Sequence, residues 1–279
     1  MSLSQSFRHQ RSCSVMQRSS YDEVMNSLSL PHLTIITGAS RGMGLAMARQ
    51  LLRSGDSVLC ISRTTQTALQ QQATDTGTTL LQWTHDLADG ASLSTRLQAW
   101  LSDRAPTPWA SASLINNAGV IPRIGPLSAS DPLDLARALR VGLEAPMQLT
   151  AAFLRATEGW SCQRKVLNVS SGLGRRAMAS QAGYCAAKAG MDHFTRCVAL
   201  EEALKPQGAR VCSLAPGVID TDMQVQLRAA NSSDFPDQAS FLGLKAHGAL
   251  TSPDEAARHL LAWLARPDFG ANPVADVRN

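Results

Sequence analysis

From Pro31 onward, short apolar runs rich in β-branched residues alternate with longer stretches of helical spacing, which restricts the chain to repeated βαβ units around a mainly parallel sheet. The runs read as strands are Leu33 to Thr37, Ser57 to Ile61, Thr79 to Trp83, Ala112 to Asn116, Val166 to Ser170 and Arg210 to Leu214. They predict an α/β fold: a single-domain, doubly wound (Rossmann) parallel sheet of six to seven strands with helices on both faces. Leu45, Ala48 and Leu52 share one helical face after the first run, and Ala187, Met191, Phe194 and Val198 share another after the fifth. A later helix is announced by Ser252, Pro253 and Glu255, a cap hydroxyl, a proline at the first helical position and a glutamate that completes a capping box.

Residues 1–30, rich in Ser and Arg, read as a disordered or targeting-like extension, which leaves 31–279 for one domain of ordinary size. Residues 222–250 are less periodic, and Asn231, Ser232, Ser233, Asp234 and Pro236 suggest a loop between short helices. In an open α/β sheet the ligand lies beyond the carboxyl ends of the strands, so this excursion after the sixth run reads as a substrate lid; a passive surface insertion is the alternative.

Composition removes several classes of function. The formal charge is +4, but Arg8, Arg11 and Arg18 lie in the extension, and without these three the body sits near +1. No Lys/Arg cluster interleaves with aromatics, so nucleic acid is not an expected partner. His9, His32, His85, His193, His247 and His259 are scattered and form no ligand motif, so no metal is expected. Cys13, Cys60, Cys162, Cys185, Cys197 and Cys212 show neither a CxxC pair nor a disulfide framework, which fits reduced thiols and a cytoplasmic location. Cys185 reads as a small packed side chain rather than a reactive thiol. No apolar run is long enough to cross a bilayer.

The first strand runs into Thr37, Gly38, Ala39, Ser40, Arg41, Gly42, Met43 and Gly44, a TGxxxGxG turn from which a helix starts at once. Glycines let a backbone approach a pyrophosphate, and free N–H groups at a helix start hold the anion. At the end of the second strand, Ser62 and Arg63 stand where a carboxylate would bind ribose hydroxyls or a cation a 2′-phosphate. With Arg41 they suit a dianion, so NADP(H) is favoured over NAD(H); an Arg63 that is only a solvated helix-start residue is the alternative.

Tyr184 and Lys188, four apart, share one face of a predicted helix, and Ser171 ends the strand before it. A phenol near pKa 10 is a poor acid–base group at neutral pH unless a nearby ammonium and an oxidised nicotinamide ring favour phenolate. Together, the turn TGASRGMG, then Asn116, Asn117, Ala118 and Gly119, then Ser171, Tyr184 and Lys188, then Pro216 and Gly217 resemble the short-chain dehydrogenase/reductase family over roughly residues 32 to 265. The resemblance implies that Tyr184 is the general acid, that Ser171 bonds the substrate oxygen, and that Lys188 binds the nicotinamide ribose and lowers the tyrosine pKa. It implies Thr37, Gly38, Ser40, Arg41, Gly42, Met43, Gly44, Ser62 and Arg63 around the phosphates and adenosine ribose, with Asp86 and Leu87 by the adenine. Asn117, Ala118 and Gly119 would line the cofactor cleft, and Pro216, Gly217, Ile219 and Thr221 would bracket the nicotinamide.

The family usually carries an asparagine after the fourth strand, thought to shape a helix irregularity and a water path to the lysine; Gly142 stands there within Val141 to Met147. Glycine accepts unusual dihedrals, so the bend is expected to survive with reduced or retuned activity. APGVIDTDM, the segment Leu244 to Leu250, and Gly270, Ala271 and Asp276 near the end are similar to the sepiapterin reductase branch, in which a carboxy-terminal aspartate anchors a pterin; Asp276 is the candidate by position, and an exposed tail acid is the alternative. The expected function is NADPH-dependent reduction of a ketone, dicarbonyl or pterin side-chain carbonyl, by a homodimer or homotetramer built on the helices Leu135 to Phe153 and Gln181 to Leu204. The alternatives are a 3-oxoacyl thioester reductase or alcohol dehydrogenase of the same build, and a redox-silent NADP-binding sensor.

Overall fold

Seven parallel strands form the centre of the computed structural model, which describes residues 30–105 and 107–279; the extension expected over 1–30 lies outside them apart from Leu30. The strands are β1 (His32–Thr37), β2 (Ser57–Ser62), β3 (Thr79–Thr84), β4 (Ser111–Asn116), β5 (Gln163–Val169), β6 (Arg210–Ala215) and β7 (Val274–Asp276). Their order in the sheet is β3-β2-β1-β4-β5-β6-β7. The helices are α1 (Gly42–Leu51), α2 (Thr67–Thr76), α3 (Gly90–Ser102), α4 (Pro132–Leu139), α5 (Ala145–Ala156), α6 (Ala182–Ala203), α7 (Asp222–Ala229), α8 (Gln238–Ala246) and α9 (Pro253–Ala265).

Because side chains alternate along a strand, neighbouring residues serve opposite layers. Ile36, Cys60 and Leu214 pack with Met43 and Met47 of α1 and with Ala256 and Leu260 of α9. Leu33, Ile35, Leu59 and Ile61 pack on the other face with Leu93 and Leu97 of α3 and Leu149 and Phe153 of α5. Burial of each such side chain is worth about 1.5–3 kcal/mol, so the two layers hold the sheet from both sides.

β1 is flanked by β2 and β4, so the chain reverses its winding there and opens a crevice at the carboxyl ends of both strands. Gly38 N–H bonds the Ile61 carbonyl at 2.8 Å, which ties the start of the glycine turn to β2.

Three details differ from the sequence expectation. β5 begins at Gln163 rather than Val166, because Arg164 and Lys165 are buried in it with distant carbonyl partners: Arg164 donates through Nη2 to the Gln207 carbonyl, and Lys165 to that of Leu264 at 2.7 Å. β7 is only three residues long and was not read as a strand; β6 aligns it, Leu214 opposite Ala275. Only half of the capping box forms: Ser252 accepts from Glu255 N–H at 3.2 Å, while the Glu255 carboxylate turns to Arg258 at 3.7 Å.

The excursion over 222–250 is mostly helical, with α7 and α8 meeting over Phe235 and Phe241, whose ring centres are 5.6 Å apart. Leu227 joins them in a small apolar cluster of its own. A single bridge closes its base, with Thr251 N–H on the Val218 carbonyl and Asp220 N–H on the Thr251 carbonyl, both at 2.9 Å.

Candidate active site

A cavity of about 880 Å³ opens at the crevice and runs from the glycine turn to the excursion over 222–250. The turn is shaped by backbone that side chains would obstruct. Gly38 and Gly42 hold φ of 71° and 53°, the left-handed region that favours glycine. A Cβ on Gly44 would stand 2.1 Å from the Gly38 carbonyl oxygen, so only glycine lets α1 start this close to β1. Ser40, Arg41 and Met43 line the cavity between them.

Thr37 is the one residue expected at the dinucleotide that does not line the cavity. It is 1 % exposed, and its hydroxyl accepts the N–H groups of Asn117 and Ala118 at 3.0 and 3.1 Å. The Asn117 amide returns a bond to the Thr37 carbonyl at 2.9 Å. The pair thus straps the β1 turn to the β4 turn.

At the end of β2, Ser62 is buried on the cavity wall and its hydroxyl has no hydrogen-bond partner among the described residues. Arg63 stands beside it at the rim. Arg41 is not free: its guanidinium pairs with Asp222 of α7 at 2.8 Å, both side chains being mostly exposed. Asp86 brings a carboxylate to the same rim, which the strand-end residues alone did not reveal. The Ala88 N–H on Asp86 and the Arg137 guanidinium at 2.8 Å hold that carboxyl below its ordinary range, with Arg63 adding its field. Arg137, on α4, was not anticipated, because nothing in its helical surroundings marks it as facing a strand end.

Ser171, Tyr184 and Lys188 converge on the cavity wall between Gly119 and Pro216–Gly217. The Ser171 hydroxyl also caps the short turn Gly172–Gly174, accepting the Leu173 N–H at 3.2 Å. Burial of the Tyr184 phenol pushes its pKa up to about 12, against the smaller opposite pull of a hydrogen bond from Ser171. Burial likewise pushes Lys188 down to about 8, partly offset by the charge of Asp192. The Lys188 ammonium donates to the Val169 carbonyl at 2.7 Å and lies 5.8 Å from the centre of the tyrosine ring.

The segment after β6 closes the opposite wall: Gly217 has φ of 84°, Ile219 is 9 % exposed, and the Thr221 methyl would be 3.5 Å from a Cβ on Gly42. Leu87 and Ala118 complete the expected lining. Ile121, Met178, Leu227 and Phe241 add an apolar wall that no motif announced, since their faces are set by the excursion folding back.

At the periphery, a pterin-anchoring role for Asp276 is not supported. Asp276 does not reach the cavity: it is 5 % exposed and is held between Arg175 at 3.2 Å and Arg278 at 2.7 Å, and it is Arg278 that lines the cavity. β7 pairing turns the aspartate inward, so proximity to the chain end was a poor guide. Cys185 is half-buried and off the cavity wall. Gly142 lies in a π-helical segment, Arg140–Glu144, which joins α4 to α5. Among the described residues no three His, Cys, Asp or Glu side chains gather as metal ligands, and no helix is long and apolar enough to cross a membrane.

The pattern of the short chain dehydrogenase family matches residues 32–232. A benzil reductase ((S)-benzoin forming) of Bacillus cereus is 35 % identical over 243 residues, covering 87 % of this chain and 98 % of its own. A sepiapterin reductase of Meriones unguiculatus is 31 % identical over 253 residues, covering 87 % of this chain and 94 % of its own. The crystal structure of a short-chain dehydrogenase/reductase from Burkholderia vietnamiensis superposes with a TM-score of 0.59 at 37 % identity, covering 89 % of this chain and 97 % of that one.

Proposed function

The chain belongs to the short-chain dehydrogenase family, and from that premise we propose that it is an NADPH-dependent reductase of ketones or dicarbonyls in which Tyr184 donates the proton. The observation that carries the reading is that one cavity has a glycine turn at one end and Ser171, Tyr184 and Lys188 on its wall. The similarity to benzil and sepiapterin reductases supports a carbonyl as the reacting group, and the apolar wall of Ile121, Met178, Leu227 and Phe241 supports a substrate with hydrophobic or aromatic substituents.

The cavity fits a dinucleotide at several points. Glycine at 38, 42 and 44 leaves backbone open to a pyrophosphate. The unpartnered Ser62 hydroxyl and the Arg63 guanidinium offer a donor and a charge for a 2′-phosphate. The Arg41–Asp222 pair is exposed and worth under about 1 kcal/mol, so a dianion outbids it for the guanidinium. Asp86, held by Arg137, is in turn kept from repelling that phosphate. When bound, a reduced nicotinamide supplies the hydride that a carbonyl carbon accepts.

The chain's own groups handle the oxygen. The Tyr184 phenol is protonated at neutral pH and lines the cavity, so it is the group available to give a proton to the oxygen as the carbonyl becomes an alcohol. The Ser171 hydroxyl donates to the same oxygen and stabilises its developing charge. Lys188, anchored on the Val169 carbonyl, presents its ammonium beside the phenol. Exposed Leu133, Met147, Leu200 and Leu204, on α4, α5 and at the end of α6, support pairing with a second copy.

Tyr184→Phe tests the reading. With benzil, a pterin ketone and a 3-oxoacyl thioester as substrates, the variant should oxidise NADPH about a thousandfold more slowly while binding it as the parent does. Turnover near the parent's removes Tyr184 as donor, and a parent silent on all three carbonyls favours a sensor.

A further inference from the structure

Asp192 lies on α6 one turn past Lys188 and two turns past Tyr184, and it is 1 % exposed. A carboxylate buried this far is costly unless bonds and opposite charge replace its water. Its Oδ1 accepts two hydroxyl protons, from Ser170 and from Ser213, each at 2.6 Å, a length of the charge-assisted class. Its Oδ2 has no hydrogen-bond partner among the described residues. A Cβ at position 174 would stand 2.8 Å from that oxygen, so Gly174 is what leaves it room. No ion pair reaches Asp192 among the described residues; of the cations four residues away on its helix, Arg196 is exposed and Lys188 is buried with it.

Each of these neighbours leads to a reacting group. Ser170 precedes Ser171, and Gly174 ends the turn that Ser171 caps. Ser213 is on β6, three residues before Pro216. A clamp of hydroxyls alone needs no charge; an amide would serve and would cost less to bury. We propose that Asp192 is a positioning residue of the reaction, which ties the Ser170–Ser171 corner and β6 to α6 and acts as the buried counter-charge of Lys188. This inference rests on the roles given above to Tyr184 and Lys188. The titratable groups around the pair are Tyr184 on the same helix, with Cys185 beside it, and Cys212 on β6, whose thiol feels the Asp192 charge. None of these is a carboxylate, so none takes the place of Asp192.

The test is Asp192→Asn in the full chain, with NADPH and the best carbonyl of the panel. The amide keeps an acceptor for the two hydroxyls and removes the charge. NADPH affinity and KM should stay within about twofold of the parent, while kcat falls roughly tenfold to a hundredfold. Without the negative charge Lys188 gives up its proton at lower pH, so the alkaline limb of kcat should move down by about one unit. An unmoved limb, or a kcat within about twofold of the parent, overturns the proposal. Should this variant fail to fold, Ser213→Ala decides: it removes one bond to Oδ1 away from the cavity wall, and kcat must fall at least about threefold at unchanged KM. An unchanged kcat there overturns the proposal as well. Tyr184→Phe run alongside separates the failures, since an inactive Tyr184→Phe with a parent-like Asp192→Asn sinks only this inference.

Discussion

Gly44→Ala sets two known effects against each other. In an ordinary helix interior alanine is favoured over glycine by about 1 kcal/mol. At this position its Cβ would lie 2.1 Å from the Gly38 carbonyl oxygen, 2.9 Å from the Gly38 carbonyl carbon and 2.4 Å from the Asn117 amide nitrogen. A side chain can rotate away from such a contact, but the Gly38 carbonyl belongs to backbone tied to β2 through its own N–H. Overpacking costs about 1–3 kcal/mol, and disturbing the Asn117 bond to the Thr37 carbonyl adds about 1 kcal/mol. The steric loss wins, leaving a net destabilisation of about 1–3 kcal/mol, or roughly 3–10 °C in Tm for a domain of this size. The displaced turn should also weaken dinucleotide binding about tenfold, which corresponds to 1.4 kcal/mol. Thermal melts and NADPH titrations are the assays, with Gly159→Ala as control because nothing lies within 4 Å of a Cβ there. If Gly44→Ala matched the control in both measurements, the close approach of α1 to β1 would not be what the glycine serves.

Arg63→Ala should weaken NADPH about tenfold to a hundredfold, the worth of a hydrogen bond to a charged group, and leave NADH unchanged; titration with both nucleotides checks this, and equal losses would refute a 2′-phosphate contact. In the reductive direction kcat/KM should fall about tenfold per pH unit above about 8, because a lysine lowered from its ordinary value sheds its ammonium there rather than near 10.5. A profile flat to pH 9.5 would show that the Lys188 charge is not required.

The periodic parts of the fold were legible in the sequence because they answer to local rules. β1, β2, β3, β4 and β6 fall within one residue of the apolar runs; for all but the edge strand β3, burial on both faces favours an apolar run. β5 was not legible at its start, because Arg164 and Lys165 are buried only through partners that lie about forty and a hundred residues further on. β7 was not legible at all: three residues carry no period, and β6 supplies the reason for the strand. At the site, the glycine turn and the Ser171, Tyr184 and Lys188 set could be found because their spacing is fixed by one turn and one helix. Arg137, Met178, Phe241 and Arg278 could not, since each reaches the cavity through the folding of a different element.

Gly142 shows how a side chain can be lost while the backbone feature it accompanies stays. The segment Arg140–Glu144 is π-helical, so one extra residue is accommodated between α4 and α5 with glycine at its centre. That bulge turns Val141 onto the cavity wall and sets Gly142 against α6, where a Cβ would meet the Ala187 methyl at 3.3 Å. Ala187 immediately precedes Lys188, so any larger residue at 142 presses on the helix that carries the lysine and the tyrosine. An asparagine there would act through the position of α6 as much as through its amide. The irregular backbone is thus present with glycine in place, and a side chain at 142 would bear on the spacing between this segment and α6, the helix that carries Tyr184 and Lys188.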